Sequence, residues 1–296
     1  MNNIFKTYEA VSASAGFALC SEAAVVRVSG PDSPRYLQGR ITQDIKQLEI
    51  GTSPRSMLLS PQGKIQGIFW IAKLEDSFLL ASLRTSPDVN ALIKALLLFK
   101  VADQVEAAAV EYSVIDILGR RTDEILSSLK TPHYKLSGSS YILCETSCLK
   151  EMQTELQSHG AIACPGEVSE MFRIQRGEPL YGVDVTERNG APDLDVSQMV
   201  SFNKGCYTGQ EVVEMSTARG KPNKQLVTLE GNSQTRPAVE SDIVLENDGS
   251  RVGQITSCAS YPGEPSLRCL GYIKASALSA GSFSADSISL TISPRQ

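Results

Sequence analysis

The chain changes character near Gly220, and this change limits the possible folds more than any other feature. Before Gly220, strand-like segments, in which apolar and polar residues alternate, are interspersed with segments in which apolar residues recur every three or four positions. After it the helical period disappears, and short strand-like runs are separated by turn residues, including a hairpin signal, Asn-Asp-Gly, at 247–249. The sequence therefore predicts an α+β region over residues 1–220 and a small antiparallel barrel or sandwich over residues 221–296.

The first region reads as two parts built in the same style. A strand at 23–30 precedes a short helix that Asp32 or Ser33 could cap and Gly39 could end, and three strands follow over 55–82. The clearest helix follows Ser86 and Pro87, a candidate N-cap and first helical residue. Strands and helices then alternate again up to Gly177, which predicts a core of two similar α+β halves.

Composition is that of a globular protein. Hydrophobic residues make up 42% of the 296, and the net charge of -5 argues against a protein that coats nucleic acid through a broad cationic surface. The strongest apolar run, at 91–99, is short and contains Lys94, so no membrane span is expected. Seven scattered cysteines, without a Cys-x-x-Cys pair, favour a cytoplasmic protein over a disulfide-bonded secreted one.

Cys206 lies in Phe-Asn-Lys-Gly-Cys-Tyr-Thr-Gly-Gln-Glu, at 202–211, and is the main candidate for chemistry. Thr208 and Glu211 have capping-box spacing, so a helix beginning there would place the thiol near a positive helix end. Nearby cations would favour its thiolate, namely Lys204, Arg219, Lys221 and Lys224. Gly205 and Gly209 would allow a ligand to lie close to the backbone. The alternative is a small buried hydrophobic residue, which is how most free cysteines behave.

Other catalytic patterns have little support. His133 and His159 are the only histidines, and both stand at loop or helix-end signals, as surface histidines do. Cys144 and Cys148 lack the two further ligands of a zinc site and fit a partly buried strand better. Phosphate-loop, Rossmann and zincin motifs are absent from the sequence.

Five blocks in order resemble the YgfZ family of folate-binding proteins, which are relatives of the glycine-cleavage T-protein, an aminomethyltransferase. They are "KGCYTGQE", "VRVSGPDSPRYLQGRITQDI", "SPQGKIQGIFWI", "RIQRGEPLYGVDV" and "RGKPNKQL", and they cover most of the chain. The resemblance implies a T-protein-like fold: a folate-binding core of two interleaved α+β domains, a C-terminal β-barrel and a central cavity.

The resemblance also implies a function. YgfZ-like proteins are linked to iron-sulfur cluster assembly or repair, affect enzymes that thiolate tRNA, and use tetrahydrofolate, with the signature cysteine important. The expected partners are folate and iron-sulfur assembly or client proteins, without stable nucleic-acid binding and without a membrane. The Gly-Tyr-Thr-Gly-Glu tract of aminomethyltransferases is missing here, which counts against the alternative, folate-dependent aminomethyl transfer. Asp88 stands near the place of the T-protein's catalytic aspartate, but a role at a helix start suits it better.

On this basis Cys206 is the predicted reactive residue. Trp70 is read as a core residue in preference to a stacking surface for pteridine. The residues predicted to bind the cofactor are Lys204, Gly205, Tyr207, Gly209, Gln210, Glu211, Arg219, Lys224 and Gln38.

Overall fold

The computed structural model describes residues 3–85, 88–219 and 222–293, which form two five-stranded sheets, a closed barrel and surrounding helices. The α-helices are Asn3–Ala13 (α1), Ser33–Arg40 (α2), Val89–Leu97 (α3), Thr122–Ser128 (α4), Leu149–Ser158 (α5), Gly166–Gln175 (α6) and Gln210–Arg219 (α7). The strands before α7 are Gly16–Leu19 (β1), Ala24–Ser29 (β2), Arg55–Leu59 (β3), Ile65–Lys73 (β4), Ser77–Ser82 (β5), Glu106–Val110 (β6), Tyr112–Leu118 (β7), Tyr134–Lys135 (β8), Tyr141–Glu145 (β9) and Ile162–Ala163 (β10). Those after it are Lys224–Gly231 (β11), Asp242–Leu245 (β12), Arg251–Ser260 (β13), Leu267–Lys274 (β14), Phe283–Ala285 (β15) and Ile288–Ile292 (β16).

The two sheets are interleaved along the chain. The first has the strand order β10-β1-β7-β9-β8, and the second, β3-β4-β5-β2-β6, is formed from the residues between β1 and β7. Apolar residues of both sheets share one core, in which the rings of Trp70 and Tyr141 lie 5.4 Å apart between centroids. The predicted architecture of two interleaved α+β units followed by a β-barrel is confirmed.

The barrel closes where β11 pairs with β16, and it has its own apolar core, which includes the buried Phe283. A buried polar cluster ties it to the α+β region. Arg173 Nη1 on α6 lies 2.7 Å from Asp184 Oδ2, and Ser257 on β13 donates to Asp184 Oδ1 at 2.7 Å. Because all three side chains are buried, this contact fixes the barrel against α6.

Some local predictions differ from the structure. The sequence analysis did not predict α1, whose apolar pattern is weak, although it buries Val11. Asp88 is the N-cap of α3, since its carboxylate accepts from the backbone N–H groups of Asn90 and Ala91; the predicted cap at 86–87 lies outside the described residues. α2 continues through Gly39 to Arg40. No helix in the described part of the chain has the length and apolar character needed to cross a bilayer.

Candidate functional site

A cavity of about 520 Å³ lies where the two sheets meet the barrel, a volume typical of small-molecule sites. Its walls come from β3 and β4, from the segments 137–139, 175–179 and 194–199, and from β11 and β14 of the barrel. All three parts of the fold therefore contribute to a single concave surface.

The floor combines an aromatic ring with an arginine. The Arg55 guanidinium carbon lies 4.8 Å from the Trp70 ring centroid, and the Trp70 indole N–H donates to the Ser137 carbonyl at 3.2 Å. Arg55 Nη1 forms an ion pair with Glu178 Oε1 at 3.5 Å, but its Nε is buried without a hydrogen-bond partner among the described residues. A buried polar group without a partner is uncommon and is consistent with a ligand that would supply one.

Glu178 is held as a carboxylate on this floor. Burial alone would raise its pKa, but the charges of Arg55 and Arg176 and a hydrogen bond from Tyr141 hold the pKa of Glu178 below its ordinary value. The Tyr141 hydroxyl donates to Glu178 Oε2 at 2.8 Å, and Arg176 Nη2 lies 3.4 Å from the same oxygen. The floor thus offers an ionised acceptor beside positively charged donors.

Arg176 is itself positioned by a second carboxylate behind the cavity. Its Nη2 lies 3.1 Å from Asp116 Oδ2, and Asp116 also accepts hydrogen bonds from Ser140 and Ser169. Burial raises the pKa of Asp116, whereas the charge of Arg176 opposes that shift. Arg176 therefore joins a fully buried acid to the cavity surface and has little freedom to move.

Cys206 lies in an exposed loop that precedes α7. Its sulfur has no hydrogen bond to the described residues, and it is not sealed in the apolar core. The buried, inert alternative considered for this thiol is therefore wrong. The thiol is accessible to solvent and to a partner molecule, which is the first requirement for a reactive cysteine.

Lys204 fastens this loop to the turn after α2. Its Nζ donates to the carbonyl oxygens of Ile41 and Gln43 at 2.7 and 2.6 Å and lies 5.1 Å from the Tyr207 ring centroid. Lys204 is only 7% exposed, and burial lowers its pKa to about 8 against the opposing field of Asp44. Its charge thus faces carbonyl oxygens inside the protein, and burial also raises the pKa of Tyr207 to about 12.

α7 begins near the predicted position, but the predicted capping box does not form there. Thr208 directs its backbone N–H and hydroxyl to the Gly39 carbonyl, so it does not act as the predicted cap. Gln210 instead accepts from the backbone N–H of Tyr207 and donates to Glu214. Gly209 has φ +83°, and a Cβ there would lie 2.7 Å from the Ser60 carbonyl oxygen, so this position requires glycine.

The other predicted ligands are dispersed. Gln38 donates to Asp44 and accepts from the Ile45 N–H, which orders the turn after α2. Lys224 Nζ lies 3.8 Å from Asp193 Oδ2 and 4.5 Å from the Tyr272 ring centroid. Gly205 and Glu211 are exposed, whereas the Arg219 side chain and Lys221 lie outside the described residues.

Apart from Lys224 on β11, the predicted residues whose side chains the structure describes lie in the cysteine loop, in the first turn of α7 or near the end of α2, and none of these residues, Lys224 included, lines the cavity. The connection runs through Gln43, which accepts from Lys204 at its carbonyl and donates from its amide to the carbonyl of Gln198, a lining residue, at 3.3 Å. The sequence analysis missed Arg55, Arg176 and Glu178. In the sequence, Arg55 is visible only as a charged residue at the start of an apolar strand. Arg176 and Glu178 are visible only as the two charges of the Arg-Gly-Glu-Pro turn after α6.

The described residues contain no group of three or more His, Cys, Asp or Glu side chains arranged to hold a metal ion.

Comparison with known proteins gives consistent relatives, although no family model matches the chain. An uncharacterised protein of Haemophilus influenzae is 26% identical over 83% of this chain and 85% of its own length. The tRNA-modifying protein YgfZ of Serratia proteamaculans is 25% identical over 80% of this chain and 78% of its own length. The glycine-cleavage aminomethyltransferase T of Bartonella henselae, a solved structure, shares 19% identity over 98% of this chain and 88% of its own, with a TM-score of 0.83.

The similarity to aminomethyltransferase T establishes the fold, and further tRNA-modifying YgfZ proteins, from Aliivibrio fischeri and Vibrio atlanticus, match at 24 and 25% identity. Together with the five sequence blocks, these matches support a member of the YgfZ family, and the fold is that of the glycine-cleavage T-protein.

Proposed function

We propose that the protein is a folate-binding accessory protein of iron-sulfur cluster assembly or repair, which affects iron-sulfur enzymes including tRNA-modifying ones. Tetrahydrofolate or a derivative occupies the cavity, and Cys206 is the reactive thiol. The observation that carries the proposal is the link between the two: the exposed cysteine loop is fastened, through Lys204 and Gln43, to the cavity wall at Gln198. A ligand that moves this wall would also move the thiol.

The cavity fits the chemistry of a folate. A pterin ring is flat, with N–H donors along one edge, and Glu178 supplies a carboxylate acceptor beside the Trp70 and Arg55 stack. Arg55 Nε has no hydrogen-bond partner within the described part of the chain, and Arg268 at the barrel wall is a cation for the carboxylates of the glutamate tail. When bound, tetrahydrofolate supplies one-carbon or reducing chemistry, while these residues orient it. The predicted cofactor-binding residues near Cys206 are then better suited to contact the exposed end of the folate than its pterin ring.

Cys206 acts in this proposal by thiol exchange or as a transient iron ligand. A cluster is usually held by four thiolates, and the described residues contain no group of three or more His, Cys, Asp or Glu side chains that could hold a metal ion. Contact with iron is therefore shared with a partner protein, and the exposed position of Cys206 permits such an encounter.

Folate binding is tested by titrating tetrahydrofolate into the protein and following fluorescence and melting temperature. Trp70 is the only tryptophan and lies on the cavity floor, so its emission reports directly on occupancy. We expect the melting temperature to rise with ligand concentration. Arg268→Gln should weaken binding by about fivefold, or about 1 kcal/mol, whereas Arg121→Gln, on the surface beside Glu124, should not. Unchanged fluorescence and stability at saturating ligand would contradict the folate assignment.

The role of the thiol is tested separately, in cells that lack the protein. Cys206→Ala should fail to restore the activity of iron-sulfur enzymes, whereas the control Cys148→Ala should restore it, because Cys148 is a half-buried thiol elsewhere in the fold. Full restoration by Cys206→Ala would remove the thiol from the mechanism.

The alternative is a folate-dependent aminomethyl transferase, which the shared fold favours. Against it, the Asp88 carboxylate is engaged in capping α3. A folate-coupled assay with candidate amines separates the two functions, because only the transferase would release a one-carbon unit in proportion to the amine consumed.

A further inference from the structure

A pair of cysteines in the barrel has no part in the proposed function. Cys258 on β13 and Cys269 on β14 are direct cross-strand partners, and their sulfur atoms lie 2.7 Å apart. Opposed residues of antiparallel strands have Cα atoms about 4.5–5.5 Å apart, which lies within the span that a disulfide bridges. The two thiols therefore need only small movements to form a covalent bond.

The two thiols differ in access. Cys258 is partly exposed, whereas Cys269 is buried in the barrel core. The hydrogen bond with Cys258, together with burial, raises the pKa of Cys269, so the buried thiol keeps its proton until its neighbour has reacted. Arg236 Nη1 donates to the Cys258 carbonyl at 3.4 Å, which places a positive charge at the backbone of the accessible cysteine.

We propose that Cys258 and Cys269 form a thiol–disulfide exchange site that takes an anionic low-molecular-weight disulfide such as glutathione disulfide. The Cys258 thiolate attacks one sulfur of the small disulfide, forming a mixed disulfide and releasing one thiolate. Cys269 then loses its proton and attacks the Cys258 sulfur, which releases the second thiolate. In sum, two protein thiols are oxidised to one disulfide, and one small disulfide is reduced to two small thiols.

The position gives this reaction a consequence for the cavity wall. Ser257, next to Cys258, contacts Asp184 and Arg173 in the cluster that holds the barrel, and Arg268, next to Cys269, lines the cavity. A disulfide would therefore pin the strand pair at the point where it forms part of the site.

The test incubates the folded protein with glutathione disulfide, then counts thiols after unfolding and maps linked peptides by mass spectrometry. Counted apart from any glutathione adduct on the exposed Cys206, the wild type should lose two of its seven thiols, with a link between Cys258 and Cys269 that dithiothreitol reverses. Cys258→Ser should lose no thiol to an internal link, while Cys148→Ser should still form the barrel disulfide.

The peptide map on the wild type keeps the test valid even where a variant folds poorly. A stable glutathione adduct on Cys258 with Cys269 still free would overturn the proposal. So would a link between Cys144 and Cys148 in place of the barrel pair, or the same loss of two thiols in Cys258→Ser as in the wild type. None of these readouts requires folate or an iron-sulfur protein, so the result is independent of the proposed function.

Discussion

The buried contact between the barrel and α6 gives the sharpest stability prediction. Asp184 accepts four hydrogen bonds: from Arg173 Nη1 at 2.7 Å, Ser257 at 2.7 Å, Thr256 at 2.6 Å and the Leu180 N–H at 3.0 Å. Asp184→Asn keeps the shape of the side chain, but it removes the charge and turns one acceptor oxygen into a donor that faces other donors.

The expected cost follows from burial. Removing one member of a buried ion pair destabilises a protein by about 3–5 kcal/mol, because the other charge stays in a low-dielectric interior. Arg173 has a second partner, Glu170, at 2.7 Å, but Glu170 is 42% exposed. Glu170→Gln therefore serves as the matched control and should cost about 0–1 kcal/mol.

The assay is urea unfolding followed by far-ultraviolet circular dichroism and by Trp70 fluorescence, with free energies compared at equal slope. Separate transitions for the two signals in Asp184→Asn would indicate that the barrel has loosened from the core. If Asp184→Asn lies within about 1 kcal/mol of Glu170→Gln, the buried cluster does not hold the barrel as argued here.

Three further predictions concern the cysteine loop and its surroundings. Gly209→Ala should destabilise the protein by about 1–3 kcal/mol because of its positive φ and the Ser60 carbonyl, whereas Gly205→Ala, with open space around it, should be near neutral in thermal unfolding. Asp88→Ala should cost about 1 kcal/mol in urea unfolding through loss of the α3 cap, and a larger loss would contradict a simple capping role. The pKa of Lys204 is about 8 when folded and near 10.5 when unfolded, so the unfolded chain binds more protons between these values. Wild-type stability should gain from this group as pH rises through that window; Lys204→Met should lack the gain, and identical pH profiles would refute the pKa.

Much of the fold could be predicted because periodicity reports directly on burial. The loss of helical period after Gly220 identified the all-β region, and the apolar repeat after Pro87 identified α3. The weakly apolar α1 escaped notice, since its stability comes from packing that a local pattern does not contain. Helix capping was less predictable. The Asp32 carboxylate accepts a hydrogen bond from the distant Gln104 N–H, and the Thr208 hydroxyl donates to the distant Gly39 carbonyl.

The candidate site was only partly predictable. A Gly-flanked cysteine among cations stands out in a sequence, and the thiol is indeed exposed. The cavity floor does not stand out, because Arg55, Trp70 and Glu178 are separated by long stretches of chain and meet only in three dimensions. Lys204 was noticed for its charge, but the sequence does not show that its ammonium binds two backbone carbonyls.

The order of strands has a consequence for synthesis on the ribosome. Every strand of the second sheet comes from residues 24–110, whereas β1 of the first sheet must wait for its neighbour β7, which begins at Tyr112. The 92 residues between Leu19 and Tyr112 take roughly 5–20 s to translate at about 5–20 residues per second. During that interval the strands of the second sheet are still being made, while β1 remains an apolar strand without its neighbour β7. Translation speed and chaperone access over this stretch should therefore govern the yield of native protein.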